Sequence, residues 1–337
     1  MNWNRGFSAL YELHRVDPVS WQDAGQFEII SGTISKSEKG LIESADFVMT
    51  ESPGECWLRA YLKAKQGESG ARVPLFTGLA SAPQRSLKGN DITFKAACYS
   101  ALKPVEDMLV PRGFFVAAGA NGAKTAAELL RVGPAPVTYA TPSPALSEAI
   151  VAENKDTYLA FAQKIVDAIG WRIRINGRGE ISITPKPDAE AARFDEREND
   201  SIEVNITDTN DWYSAPNCIR ITSGSDCIEY RDDSKKSKLS TVSRKANRGG
   251  TGEIWKTESA SSLSETDTLL AYAERRLKEL QSPARKISYT RRFRPDVTIS
   301  DMVRLHLPGH GIDGVFTVSS QKITLGYAAS VSEEVTG

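Results

Sequence analysis

The chain has 337 residues, 25% of them charged and 40% hydrophobic, with a formal net charge of −1; this is an ordinary globular composition, long enough for two or three cores at ~150 residues per domain. The balanced charge gives no global attraction to nucleic acid or an anionic membrane, and no apolar run approaches the ~18–20 residues of a spanning helix. Four cysteines (Cys56, Cys98, Cys218, Cys227) without a CxxC pair, beside only three histidines, argue against zinc or any other metal site; Cys218 and Cys227 are near enough to face each other across a hairpin and read as reduced thiols.

The opening stretch MNWNRGFSALYELHR carries neither the apolar core nor the cleavage site of a signal peptide, which predicts a protein kept in a cytoplasm until it joins an assembly. Residues 1–104 read as β-rich, with strand-like runs at 8–14, 27–35, 41–50, 56–64, 73–79 and 91–97 split by Gly, Pro and Asp. In the last of these, Ile92, Phe94 and Ala96 share one face. Short strands at this spacing predict a sandwich or barrel-like sheet. The character changes over 104–144, which holds a Gly/Ala-rich loop (117–122), a helix (123–130) and a Pro-rich connection (134–144).

Residues 154–185 predict a helix followed by a hairpin. Tyr158, Phe161, Ala162, Ile165, Val166 and Ile169 recur at three- and four-residue steps, with Asn154 as N-cap, Asp156 in the first turn and Gly170 just past the end. Trp171, Ile173 and Ile175 then alternate with Arg172 and Arg174, so the period falls to two. Asn176-Gly177 turns the chain, and a three-residue loop with Gly179 as a bulge places Ile173 opposite Ile181. Residues 189–199 are charged and fit a short helix or a linker.

Strands are expected at 201–206 and 218–223, and the Ser/Lys/Arg/Gly-rich stretch 234–252 reads as an exposed, mobile loop. A second amphipathic helix is predicted over 265–281, with Ser264 as N-cap, Asp267 at N3 and Pro283 as terminator; Leu269, Leu270, Ala273, Leu277 and Leu280 form its stripe. The tail returns to strands at 286–290, 297–299, 302–307, 314–318 and 322–325. The fold class is therefore α+β, mainly β: two β-barrel-like domains, 1–104 and 191–337, flank an inserted α/β domain at 105–190.

Candidate chemistry is sparse. Gly119-Ala-Asn-Gly122-Ala-Lys124-Thr125 has the flavour of a phosphate-binding loop, but Ala123 replaces the glycine before the lysine and Gly119 is one residue too close. His14, His306 and His310 form no nucleophile–base pattern; His306 falls on the solvent face of a strand and His310 in a turn. Lys235, Lys236, Lys238, Arg244, Lys245 and Arg248 read as solvated loop charges without aromatics for base stacking. Arg291, Arg292 and Arg294 around Phe293 fit either an interface patch or one charged strand face. No catalytic, cofactor-binding or metal residue is assigned.

The order of these segments resembles the tail hub, or baseplate hub, proteins of phages and prophage particles, including the late-control-D-like hubs of contractile systems. The likeness is carried by Ile30-Ser-Gly-Thr-Ile-Ser-Lys36 with Ile42-Glu-Ser-Ala-Asp46, then Cys98-Tyr-Ser-Ala-Leu-Lys-Pro104 and Arg131-Val-Gly-Pro-Ala-Pro136. It continues through Asp156-Thr-Tyr-Leu159, Ala168-Ile-Gly-Trp171 and Asn176-Gly-Arg-Gly179. Asp211-Trp212, Ala215-Pro-Asn217, Leu270-Ala-Tyr-Ala-Glu-Arg-Arg-Leu277, Asp301-Met-Val303 and Gly311-Ile-Asp-Gly-Val-Phe316 complete it. The resemblance implies a non-enzymatic homotrimer, assembled in the bacterial host cytoplasm and placed in the virion at the tail tip. There two barrels per subunit would adapt a six-fold tail tube to a three-fold spike or fibre. Implied partners are its own copies, the tail tube or distal tail protein, the spike, fibre or other baseplate proteins, and the tape-measure protein. No membrane or sequence-specific nucleic acid is implied. The alternative is a tail-tip module that binds host-surface carbohydrate, which predicts exposed aromatics on one sheet face. A hydrolase with a hidden carboxylate pair is the enzymatic rival.

Overall fold

The computed structural model describes the chain apart from residues 90, 188, 196–201, 204, 211, 212, 214, 224, 225, 260–268, 282–284 and 328. It falls into two compact units: Met1–Val204 with Thr290–Glu333, and Asn205–Tyr289 with Glu334–Gly337. Half of the described residues are in strands and 16% in helices.

The first unit opens with seven strands: β1 (Ser8–Val16), β2 (Asp23–Phe27), β3 (Ile29–Ser37), β4 (Ile42–Met49), β5 (Cys56–Gln66), β6 (Ser69–Lys88) and β7 (Asp91–Ser100). They lie in the order β3-β4-β7-β6-β5-β1-β2 with antiparallel neighbours. β5 reads Cys-Trp-Leu-Arg-Ala-Tyr-Leu because it is covered on both faces. Leu58, Ala60 and Leu62 join Leu13, Ile34, Phe47 and Phe76 in one core, while Trp57 faces a second core built with the insert.

That insert comprises α1 (Lys103–Glu106), β8 (Phe115–Val116), α2 (Gly122–Leu130), β9 (Val137–Tyr139), β10 (Ile150–Val151), α3 (Tyr158–Ala168), β11 (Trp171–Ile175) and β12 (Ile181–Pro185). The α3 stripe of Phe161, Ala162, Ile165 and Val166 is buried beside Ala123, Ala126 and Leu130 of α2. Thr157, not Asn154, is the N-cap; its hydroxyl accepts from the Ala160 N–H. Gly170 has the left-handed φ of +70° expected after the helix. The hairpin register differs from the expected one by two residues: Ile173 faces Ile183, and Ile175 faces Ile181. The cause is Asn176, whose side chain accepts from Arg178 and Glu180 N–H and thereby closes the strand pair, leaving 177–179 as the loop. An even shift leaves the same side chains on the core face. Inside the Pro-rich connection, β9 adds to β12 in parallel.

The charged stretch after the hairpin is a strand, β13 (Glu190–Asp195), rather than a helix or linker, with Ala192 and Phe194 buried; its last predicted residues, 196–199, lie outside the described residues. The second unit follows with β14 (Thr207–Asn210), β15 (Cys218–Ser223), β16 (Asp226–Arg231), α4 (Thr241–Arg248), β17 (Trp255–Ser259), α5 (Leu269–Gln281) and the start of β18 (Arg285–Arg292). Central β15 pairs with β16 antiparallel and with β17 in parallel. Ala273 and Leu277 of α5 cover Ile219 and Ile221. The predicted start of α5, its Ser264 and Asp267 caps and Pro283 lie outside the described residues. So do Ser201 and Val204 of the strand expected at 201–206, where Ile202 makes a single bridge to Arg291.

β19 (Met302–Leu307), β20 (Ile312–Thr324) and β21 (Ser330–Thr336) close the chain. β20 runs without the break expected after residue 318 and joins β3, pairing Ile323 with Ile34. β13 pairs in parallel with β19, which pairs with β20. Residues 297–299 are not a strand. Asp301 accepts from the Thr298 N–H, and Ser300 takes a left-handed φ of +62°, so the segment turns. Among the described residues no closed barrel is present.

Candidate interaction surfaces

The insert is fixed to the first sheet through its hairpin tip. Buried Arg59 on β5 donates to Thr77 Oγ1 (2.9 Å), Asp23 Oδ1 (2.9 Å), Trp21 O (3.2 Å) and Arg178 O (3.1 Å). Trp21 Nε1 donates to the same Arg178 carbonyl, and Thr77 Oγ1 donates to Gly177 O. A Cβ on Gly177 would collide with the Pro74 backbone, so only glycine fits this approach. Beside this network Glu12 accepts from Lys63 (2.6 Å) and Arg72 (2.8 Å), and its carboxyl is held down at about 2, chiefly by the Lys63 bond.

The residues singled out as candidate chemistry mostly serve the fold. At the Gly119–Thr125 loop the helix N-terminus is already capped by its own chain. Asn121 Oδ1 takes the Lys124 N–H, Ser143 Oγ takes the Ala123 N–H, and Pro144 O takes the Gly122 N–H. Gly122 is needed because a Cβ there would meet Ile169 Cγ2 at 2.6 Å. The 234–252 stretch is not simply a loop. It contains α4, capped by buried Ser240, and Arg244 is buried while donating to Leu239 O and Ala215 O. The Arg291–Arg294 group is neither a patch nor a face. Arg291 forms a buried bidentate pair with Glu333 at 3.0 and 2.6 Å, Arg292 donates to Asn4 O, and Arg294 holds Asp296 and Asn4. Phe293 packs beneath Trp3. Sequence reasoning missed Glu333 and Asn4 because they lie far along the chain.

His14 sits between Glu12 and Arg72, and His306 lies 3.3 Å from Asp313 on the partly exposed face of β19. His310 is in a one-turn 3-10 helix closed by Gly311. Cys218 lies opposite Arg231 and Cys227 opposite Thr222, so the two thiols are not cross-strand neighbours. Burial pushes the Cys218 thiol up to about 11. Trp21, Trp57 and Trp171 are core residues of the first unit and form no exposed platform, and Trp255 of the second unit lies between Arg220 and Arg231; Trp212 lies outside the described residues.

Three surfaces of the first unit present apolar groups or open backbone. Residues 108–116 and 150–158 form an irregular ribbon whose even positions, Val110, Val116 and Asp156, are buried. Its odd positions Leu109, Phe115 and Val151 point outward and are 61, 60 and 64% exposed. The β6–β7 arm continues past the last β4 pair, Met49–Phe94, and ends with exposed Leu87 opposite Ile92. Finally, β2 covers only Leu13–Val16 of β1, so among the described residues Ser8–Glu12, with exposed Leu10, pair on one side only. Large apolar side chains left outside and an open strand edge are features of surfaces that pair with other chains.

This architecture is the mainly β fold of phage tail proteins. Over nearly its full length the chain is similar to the tail protein from Neisseria meningitidis MC58, with a TM-score of 0.71 at 14% identity, covering 99% of this chain and 97% of that one. It is also similar to the 43 kDa tail protein of prophage MuSo2 from Shewanella oneidensis (TM-score 0.65, 13% identity, 96% and 97% covered). The prophage tail protein gp18 from Listeria monocytogenes EGD-e follows at 0.58 and 12% identity, with 97% and 94% covered. No protein-family model matches the sequence, and no curated protein matches it. At these identities the likeness is one of fold.

Proposed function

We propose that the protein is a structural component of a phage or phage-like tail, acting as a trimeric hub that adapts a six-fold tail tube to a three-fold spike or fibre. The observation that carries this reading is the end-to-end correspondence with solved tail proteins, two of them from prophages, at 99% of this chain and 97% of the first. In the proposal, segments 1–104 and 191–337 supply the ring and 105–190 decorates it. The open β1–β2 edge and the outward apolar ribbon are the surfaces buried against neighbouring subunits and tail proteins. The work is done by surfaces, without catalysis, at the virion tail tip after assembly in the host cytoplasm.

Light scattering on the purified chain across a concentration series tests the trimer. A mass of three times 36.8 kDa is expected, with a ring visible by electron microscopy. A single-chain mass at every concentration overturns a self-assembling trimer.

A further inference from the structure

A cavity of about 260 Å³ lies in the first unit where the β11–β12 hairpin, the first sheet and the return strands meet. Lys36, Arg174 and Arg294 line it, with Ser182, Thr184 and Thr298; among the described residues no Asp or Glu does. The carboxylates that touch these cations stand outside its lining. Asp301 is shared by Arg174 (3.5 Å) and Arg172 (3.3 Å). Asp296 holds Arg294, and Glu43 stands 3.4 Å from the Lys36 ammonium. Asp301 is thus divided between two arginines, of which Arg172 also feels Glu38, and burial drives Glu43 toward its neutral form. Lys36 itself is 93% buried, and among the described residues its three donors have that one distant partner. A buried ammonium with unfilled donors carries a desolvation cost that an acceptor in the cavity would offset.

We propose that this cavity is a binding site for a small oxyanion, gripped by Lys36, Arg174 and Arg294 and completed by the hydroxyls of Ser182, Thr184 and Thr298. The oxyanion has two possible sources, free phosphate and a carboxylate presented by a neighbouring protein. Either would bridge hairpin, sheet and return strands, so occupancy would tie the insert down.

Thermal unfolding of the full chain in inorganic phosphate, at fixed pH and ionic strength, tests the site. The expected result is a saturable rise in midpoint, because a ligand bound only by the folded state stabilises it by mass action. Arg174→Gln changes a side chain that is one-third exposed and should raise the half-saturating concentration at least tenfold. Lys36→Met with Glu43→Gln should abolish the response, while Arg220→Gln in the second unit should leave it unchanged. N-acetyl-aspartate in place of phosphate separates the two sources: saturation by it points to a protein carboxylate, and saturation by phosphate alone to the free ion. An equal, non-saturating rise in wild type and Arg174→Gln would be general salt stabilisation and would overturn the proposal, as would no response to either probe.

Discussion

Arg291 and Glu333 stand 2.6 Å apart with both side chains out of solvent, and Gln321 adds a third donor to the same carboxylate. Removing one member of such a pair strands a buried charge, so Arg291→Met should lower unfolding free energy by ~3–5 kcal/mol in urea. Glu43 is the opposite case. It is buried with neither oxygen hydrogen-bonded, and desolvation raises its pKa despite Lys36. The folded state then holds this proton more tightly than the unfolded chain, so stability falls as pH rises from the ordinary carboxyl value through the raised one. Glu43→Gln should flatten that fall, read as urea midpoints over a pH series. Glu12 runs the other way: its pKa of about 2 gives stability that is present above the ordinary carboxyl value and lost as pH drops toward 2. None of these pairings was legible in the sequence. Arg291 and Glu333 are 42 positions apart, and a charged side chain carries no periodic mark of the strand that will receive it.

The helix–hairpin unit could be read directly, because an apolar stripe of period 3.6 followed by period 2 has few other solutions. Its position on the first sheet could not, since that depends on Gly177 meeting a backbone about 100 residues earlier. Gly177→Ala should therefore cost stability beyond the ~1–3 kcal/mol of ordinary overpacking, with loss of the Trp21 near-UV signal as the tip lifts. The weakly apolar elements escaped the sequence. β9 is three residues inside a Pro-rich run, and α4 has polar caps and a buried guanidinium where an apolar face would be expected. Hydrogen exchange should be at least tenfold slower across 244–248 than across 235–238. Ser240→Ala, which removes the cap, should erase most of that contrast at a cost of ~0.5–2 kcal/mol.

At the scale of the molecule, the order of weakly resembling segments anticipated a fold shared end to end with prophage tail proteins. What local patterns concealed is that the first unit is split in sequence, because strand partnership is a long-range choice. The Glu203 N–H donates to Thr290 O at 2.8 Å, so the chain leaves and re-enters this unit at adjacent points. Replacing residues 205–289 with a short Gly/Ser linker should leave the first unit folded, with a cooperative melt and dispersed NMR spectra; a molten product would show that the unit needs the segment. The split also has a consequence during synthesis. Ile34 of β3 pairs with Ile323 of β20, and at ~5–20 residues per second the ribosome delivers that partner roughly 15–60 s later. For that interval a nascent chain displays β3 as an open edge, and on a polysome many such edges are close together. The β3 segment that awaits β20 is Thr33-Ile34-Ser35-Lys36-Ser37, four polar residues in five, a composition that discourages neighbouring nascent chains from pairing there first.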